Sequence, residues 1–201
     1  MKWSLFKNIT KEYPLFWNDY LSHFSQKSKK KRYVVFDTET TGLDVNEDRI
    51  LSISAVGVVD NKILINDYFE IFISQSIFKS ESVPIHGILK GGNEEKTSEK
   101  QAIIDFLDFI KNATLVGHHI AFDIEMINEA LDRLDAGRLK NQYMDTDIMY
   151  QKLKHFPEEQ HTSLDELCTI FNIRKTDRHT SSGDAYITAL LFLKLKKKLS
   201  L

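Results

Sequence analysis

Val34-Val35-Phe36-Asp37-Thr38-Glu39-Thr40-Thr41-Gly42-Leu43 joins an apolar run to two carboxylates two positions apart. Side chains of an extended strand alternate between faces, so Asp37 and Glu39 leave the same side and can grip one cation. Such triplets are common by themselves: 29 acids among 201 residues give about four by chance. Asp123-Ile124-Glu125 and Asp145-Thr146-Asp147 are further examples. The first differs in context, because an apolar strand that ends in two unpaired charges is costly to bury unless a metal compensates them. Hard carboxylate oxygens suit Mg²⁺ or Mn²⁺ rather than a thiolate-loving ion. Asp123, in an apolar helix that begins Ala121-Phe122, also needs a partner for its charge. Asp184 and His179 are plainer in isolation: the first reads as a complement to a helix dipole after Ser182, the second as a solvated loop histidine.

The elements that must position these residues follow from periodicity. Residues 33–38, 50–59 and 62–73 read as strands, with Asp60-Asn61 as a tight hairpin turn between the last two, which predicts an antiparallel meander. Helices and strands then alternate. Ser98-Glu99-Lys100-Gln101 is a capping box that starts a helix burying Ile103, Phe106, Leu107 and Ile110. Residues 114–118 form a short buried strand, a helix follows through Ile124, Ile127 and Leu131 to near Gly137, and a short strand covers 143–146. Ser163-Leu164-Asp165-Glu166 is a second capping box, and Ser181 or Ser182 caps a long helix from Asp184 to Lys198. The expected architecture is α/β, with a mixed five-stranded sheet of three antiparallel and then two parallel strands flanked by helices. Residues 1–30 stand apart: seven of the 22 aromatics recur there at helical spacing, followed by the basic linker Ser25 to Lys31. This predicts a helical extension, packed on its own domain or on a partner, before a main domain at 31–201, with Pro14 opening a second helix.

Composition excludes several classes. With 42% apolar and 28% charged residues, the chain is an ordinary globular protein rather than a collagen or a disulfide miniprotein. Cys168 is the single cysteine, read as a buried free thiol in a reducing compartment. The longest uncharged apolar stretches, such as residues 51–59, are too short for a bilayer core of about 30 Å, and no signal peptide is visible, so the expectation is a cytoplasmic protein with no membrane partner. A net charge of −2 does not announce a nucleic-acid binder, but cations held by carboxylates would bring their own positive charge to a phosphate.

Phe36-Asp37-Thr38-Glu39-Thr40-Thr41-Gly42-Leu43 resembles the first motif of the DEDDh 3′-to-5′ exonucleases, the family of the proofreading epsilon subunit of bacterial DNA polymerase III. Val116-Gly117-His118-His119-Ile120-Ala121-Phe122-Asp123 resembles the second, and His179-Thr180-Ser181-Ser182-Gly183-Asp184-Ala185 the third. The resemblance implies a ribonuclease-H-like fold and removal of nucleotides from a 3′ end, with release of nucleoside 5′-monophosphates. It also implies two divalent cations, Mg²⁺ or Mn²⁺, about 3.5–4 Å apart, which serve both the attacking water and the leaving oxygen. Carried over residue by residue, Asp37 bridges both ions, Glu39 and Asp184 complete the first, Asp123 holds the second, and His179 is the general base. An imidazole at its ordinary pKa of about 6.5 is mostly neutral at pH 7 to 8 and fit for that role. Thr40, Leu43, His86 and Phe122 match positions that hold the terminal nucleotide. Asp145 is expected to be structural and His118 to support the site by hydrogen bonding.

Two residues depart from the pattern: His119 replaces the usual asparagine, and Ser181 the usual alanine. Neither removes an expected ligand. Exonucleases of the oligoribonuclease group, which commonly carry methionine where Thr40 stands, resemble this chain less, so the resemblance favours DNA, or mixed DNA and RNA, with single-stranded ends preferred. The rival expectations are an exoribonuclease of the ribonuclease T kind and a polymerase-associated binding module with weak catalysis. A polymerase or other protein partner would engage residues 1–30.

Overall fold

The computed structural model describes residues 12–25, 31–77, 79, 83, 87–88, 92 and 94–201. Among these residues, six strands form one sheet: β1 (Arg32–Thr40), β2 (Ile50–Val59), β3 (Lys62–Ile73), β4 (Lys96–Thr97), β5 (Thr114–Gly117) and β6 (Tyr143–Asp145). Their order is β4-β3-β2-β1-β5-β6. β1, β2 and β3 are the antiparallel meander, β5 runs parallel to β1, and β6 parallel to β5. The expected count of five strands is one short, because β4 is a two-residue strand parallel to the end of β3 and too brief to show a period. Asp60 and Asn61 both have φ in the left-handed region, 50° and 61°, as a two-residue hairpin turn requires.

Among the described residues, six helices cover the sheet: α1 (Leu15–Ser22), α2 (Glu99–Ile110), α3 (Ala121–Arg133), α4 (Thr146–Lys154), α5 (Leu164–Ile170) and α6 (Ser181–Lys198). Both faces of β1 are buried, which is why its sequence is a continuous apolar run rather than an alternating one. Val34 and Phe36, with Ile53, Ala55 and Leu115, pack against the layer of α1, α2 and α3. Tyr33 and Val35, with Val56, Val58 and Val116, pack against α4, α5 and α6. Cys168 is a free thiol inside this second layer.

Three helix starts refine the expected ones. Ser163 and Glu166 form the reciprocal capping box. Ser98 accepts from the Gln101 N–H, but the box is not closed, because the Gln101 amide donates instead to Asp105 at 2.7 Å. Neither Ser181 nor Ser182 caps α6; Thr180 does, its hydroxyl accepting from Gly183 N, and the helix begins at Ser181, earlier than expected. α4 follows β6 directly and the periodicity does not announce it, since Thr146, Asp147 and Gln151 are buried polar residues that break the apolar spacing. Asp145 starts it by accepting from the Asp147 N–H.

Pro14 occupies the N-cap of α1, and its carbonyl accepts from Trp17 N at 3.0 Å. The helix turns Trp17 and Tyr20 into the main core. Trp17 lies over Gly137, where an added Cβ would meet the indole ring at 2.8 Å. The Tyr20 hydroxyl donates to Asn141 Oδ1 at 2.6 Å and accepts from Lys140 N at 2.8 Å. The aromatic residues expected to begin an earlier helix, and most of the basic linker, lie outside the described residues. No helix among the described residues is long and apolar enough to cross a membrane.

Because Trp17 is 1% exposed, Trp17→Ala is expected to cost about 3–5 kcal/mol of stability, the usual range for emptying a large aromatic site. Urea unfolding should show a lower midpoint at an unchanged slope; an unchanged midpoint would remove α1 from the folded unit.

Candidate active site

Strand parity builds the centre. Thr38 shares the face of Val34 and Phe36, towards α3, and Asp37 and Glu39 share the face of Val35, towards α6. Thr38 meets α3 by two hydrogen bonds to Asp123 Oδ1, from its backbone N at 3.0 Å and its hydroxyl at 2.6 Å. Asp123 is placed there because α3 starts just beyond the end of β5, with Asp123 in its first turn. On the other side, Ser54 and Ser52 are the β2 neighbours of Asp37 and Glu39. Their hydroxyls lie 2.8 and 2.9 Å from that of Ser181, so the start of α6 is pinned to β2 beside the two acids. Gly183 lets the preceding turn fold over this helix start: a Cβ there would sit 1.9 Å from the Asp177 carbonyl oxygen. Asp184 follows, 7% exposed.

The result is a triad. One carboxylate oxygen from each of Asp37, Glu39 and Asp184 lies within 4.8 Å of the others. Asp123 stands outside this triad, turned towards Thr38, but raises the proton affinity of both Asp37 and Glu39 through its charge. Burial, then the charges of Asp123, Asp184 and Glu39, hold the Asp37 carboxyl well above its usual range. Burial, then Asp184 and Asp123, push Glu39 up to about 8. Burial also lifts Asp123 to about 7, against the opposing hydrogen bonds from Thr38. The Asp184 Oδ1 atom is buried with no protein partner among the described residues. Hard oxygen donors, mutual repulsion and an orphaned buried oxygen all fit a site for divalent cations of the Mg²⁺ or Mn²⁺ kind.

His179 stands apart from the triad. Its side chain is exposed and its backbone is left-handed, with φ 63°, while its N–H donates to Asp184 Oδ2 at 3.3 Å. Leu43 is 85% exposed and is therefore no core residue. It sits on a loop held by Asp48, which accepts from the Thr41 hydroxyl at 2.7 Å and from Asp44 N at 3.0 Å and pairs with Lys79. Thr40 donates its hydroxyl to Gly42 O at 2.7 Å, and Phe122 is half-buried against the core. A cleft of about 330 Å³ opens beside Glu39, lined also by Ser52, Glu70, Phe72 and Ser182. His86 lies outside the described residues.

Arg178 is a residue the motifs do not single out. Its guanidinium bridges Asp184 and Asp165, and it opposes the proton affinity of Asp37 and Glu39. Its adjacency to His179 was the available signal, but the pairing needs Asp165 brought up by α5. Asp145 accepts from His119 N and Ile120 N as well as capping α4, which fastens the turn between β5 and α3. His118 Nδ1 lies 3.0 Å from the Thr146 hydroxyl, and burial lowers its pKa to about 4, which keeps it neutral.

The family model described as Exonuclease, RNase_T, matches residues 34–192. The DNA polymerase III subunit epsilon of Rickettsia prowazekii is 34% identical over 172 residues, covering 82% of this chain and 73% of its own length. That of Buchnera aphidicola is 32% identical over 174 residues, with 82% and 72% covered. The PolC-type DNA polymerase III of Caldanaerobacter subterraneus is 32% identical over 180 residues, but the 87% of this chain that aligns spans only 12% of that much longer relative. Among solved structures, E. coli exonuclease I in complex with a dT13 oligonucleotide superposes with a TM-score of 0.72 at 16% identity, over 85% of this chain and 42% of that one. Exonuclease X in complex with 5′-overhanging duplex DNA gives 0.62 at 20% identity, over 84% and 93%. The fold is thus the ribonuclease-H-like one of these exonucleases, and with its three motifs inside the matched span the chain belongs to the RNase_T exonuclease family.

Proposed function

We propose that this protein is a divalent-metal-dependent 3′-to-5′ exonuclease that acts on single-stranded or frayed DNA ends and releases nucleoside 5′-monophosphates. The observation that carries the reading is the convergence of Asp37, Glu39 and Asp184 within 4.8 Å, with Asp123 beside them. Asp37, Glu39 and Asp184 would hold one Mg²⁺ or Mn²⁺, and Asp37 with Asp123 a second. When bound, such a pair supplies the positive charge that makes water nucleophilic and stabilises the departing 3′ oxygen. The imidazole of His179 takes the proton of that water. Its backbone bond to Asp184 ties base and ligand to one turn. Thr40, Leu43 and Phe122 hold the last nucleotide, together with His86.

DNA is favoured because the relatives are subunits of DNA polymerases and the solved neighbours carry an oligothymidylate and an overhanging duplex. An unpaired end reaches a recessed carboxylate centre without first melting a duplex. In the same reading residues 1–30 are an extension of the exonuclease domain and offer a surface to a polymerase. Leu15, 83% exposed on α1, faces outward, whereas Trp17 and Tyr20 belong to the core.

Digestion of matched 5′-labelled single-stranded DNA and RNA with Mg²⁺ or Mn²⁺ should give a one-nucleotide ladder, faster on DNA. EDTA and Asp37→Ala should each reduce it to background; a ladder that survives either would sink the metal-dependent mechanism, and faster RNA turnover would make the enzyme an exoribonuclease.

Leu43→Ala should leave stability unchanged, since the side chain is exposed, while raising KM by about tenfold, the effect of one lost apolar contact. An unchanged KM would take Leu43 out of the nucleotide site.

The raised carboxylates also give a pH dependence without metal. Glu39 has a pKa of about 8 in the folded protein against an ordinary 4.5, so in that window the folded state binds more protons than the unfolded one. Stability from this group is therefore present at low pH and lost as pH rises towards 8. In EDTA the wild-type Tm should fall between about pH 5 and about pH 8, and Glu39→Gln should fall less. At the upper end the variant should exceed the wild type by about 2–4 °C for each kcal/mol relieved. Parallel curves for the two proteins would contradict the electrostatic account.

A further inference from the structure

His119, Asp147 and His161 form a second convergence of metal-binding side chains, apart from the carboxylate triad. One ligand atom from each lies within 4.8 Å of the others. They come from the turn between β5 and α3, the first turn of α4, and the loop between α4 and α5. The Asp147 side chain is fully buried, while those of His119 and His161 are 51% and 60% exposed. Asp147 Oδ2 lies 2.7 Å from His161 Nδ1 and 3.3 Å from His119 Nε2.

Each of these groups is held in place from behind. Asp147 Oδ1 accepts from Thr162 N at 2.9 Å. The Gln151 amide donates to Asp147 Oδ2 and to Gln160 O, which fixes the loop that carries His161. His119 has a left-handed backbone, φ 55°, with its N–H on Asp145, and its ring lies 4.3 Å from that of His118. Hydrogen bonds of this kind to a ligating carboxylate fix its orientation towards a metal.

Without a cation, His161 Nδ1 is within hydrogen-bond distance of Asp147 Oδ2 and His119 Nε2 approaches the same oxygen, so three ligand-type atoms crowd one point. A cation between the three atoms satisfies all of them at once. For ligand distances of about 2.0–2.1 Å a tetrahedral edge is about 3.3 Å, which the His119–Asp147 separation already matches. The His161–Asp147 pair, at 2.7 Å, would open by about 0.6 Å to reach the same edge. The exposed side of both histidines leaves a position for solvent or a further donor. Two imidazoles and one carboxylate suit borderline ions such as Zn²⁺, Co²⁺ or Ni²⁺, and not Mg²⁺.

We propose that His119, Asp147 and His161 form a second metal site, selective for a borderline divalent transition metal and separate from the carboxylate centre. Such an ion clips the loop before α5 to the turn that leads into α3, and so to the helix that carries Asp123. The site stands on its own geometry, whether or not the carboxylate centre cleaves DNA.

The test is a titration of the full chain with Co²⁺ in excess Mg²⁺, followed by visible absorption. The wild type should develop the intense band of four-coordinate Co²⁺ and saturate at one equivalent. His161→Ala and His119→Asn should each weaken binding more than tenfold, and Glu39→Gln should leave the band intact, with circular dichroism confirming that each variant is folded. No band in the wild type, a band retained in both histidine variants, or a band lost in Glu39→Gln would overturn the proposal. The last of these would assign the cobalt to the carboxylate centre.

Discussion

Burial raises the proton affinity of Asp37, Glu39 and Asp123, the charges of neighbouring acids add to it, and the surrounding structure is organised to hold these groups together in spite of that. Two buried hydrogen bonds from Thr38 fix Asp123. The Ser52, Ser54 and Ser181 hydroxyls fix the start of α6, and so Asp184. Arg178 adds a positive charge at the edge, shared with Asp165. Arg178 offsets part of the repulsion between the carboxylates, and the other contacts fix the elements that carry them. Carboxyls so placed hold their protons more tightly than free ones, and a cation among them would take the place of those protons.

The same constraint explains why the core and the site cannot be separated. β1 delivers its acids to one helical layer and Thr38 to the other only because Val34 and Phe36, and Tyr33 and Val35, are each buried in the matching layer. A one-residue slip of β1 would exchange the two faces and send Asp37 and Glu39 towards α3. The apolar residues of the strand thus set the register of the charged ones. The helix α1 contributes to this from a distance, since Trp17 and Tyr20 complete the layer on which Val34 and Phe36 rest.

Much of this was legible in the residue order, for physical reasons. The strands β1 and β2 are covered enough to produce apolar runs, β3 is long although mostly uncovered, and the turn at Asp60-Asn61 uses residues that tolerate a left-handed backbone. The acids were legible because their types and order match a family, not because any one spacing is rare. β4 was not, since two residues carry no period. The cap of α6 was misread because Ser181, a good capping residue by type, is instead buried between two serines of β2, a pairing that joins residues more than 120 apart in the chain. Arg178 escaped for the same reason: its importance lies in the acids that the fold brings to it.

α4 shows what such a failure of local rules can mean. Its buried face carries Thr146, Asp147 and Gln151 where an ordinary amphipathic helix would carry aliphatic residues. Each of these has a specific partner: His118 for Thr146, Thr162 and His161 for Asp147, and the carbonyls of the next loop for Gln151. Burial raises the proton affinity of Asp147, but the His161 and Thr162 hydrogen bonds and the nearby imidazoles outweigh it and hold the carboxyl below its usual range. The carboxylate centre shows the opposite balance, with burial and like charge reinforcing one another. Two buried acidic groups on neighbouring elements thus differ in balance: nitrogen donors outweigh burial at Asp147, whereas at the carboxylate centre the Thr38 hydrogen bonds and Arg178 only partly offset burial and like charge. Since donor type governs which ions compete for a site, the two groups differ in metal preference by their chemistry, and the polar face that hid α4 from periodicity is what creates that difference.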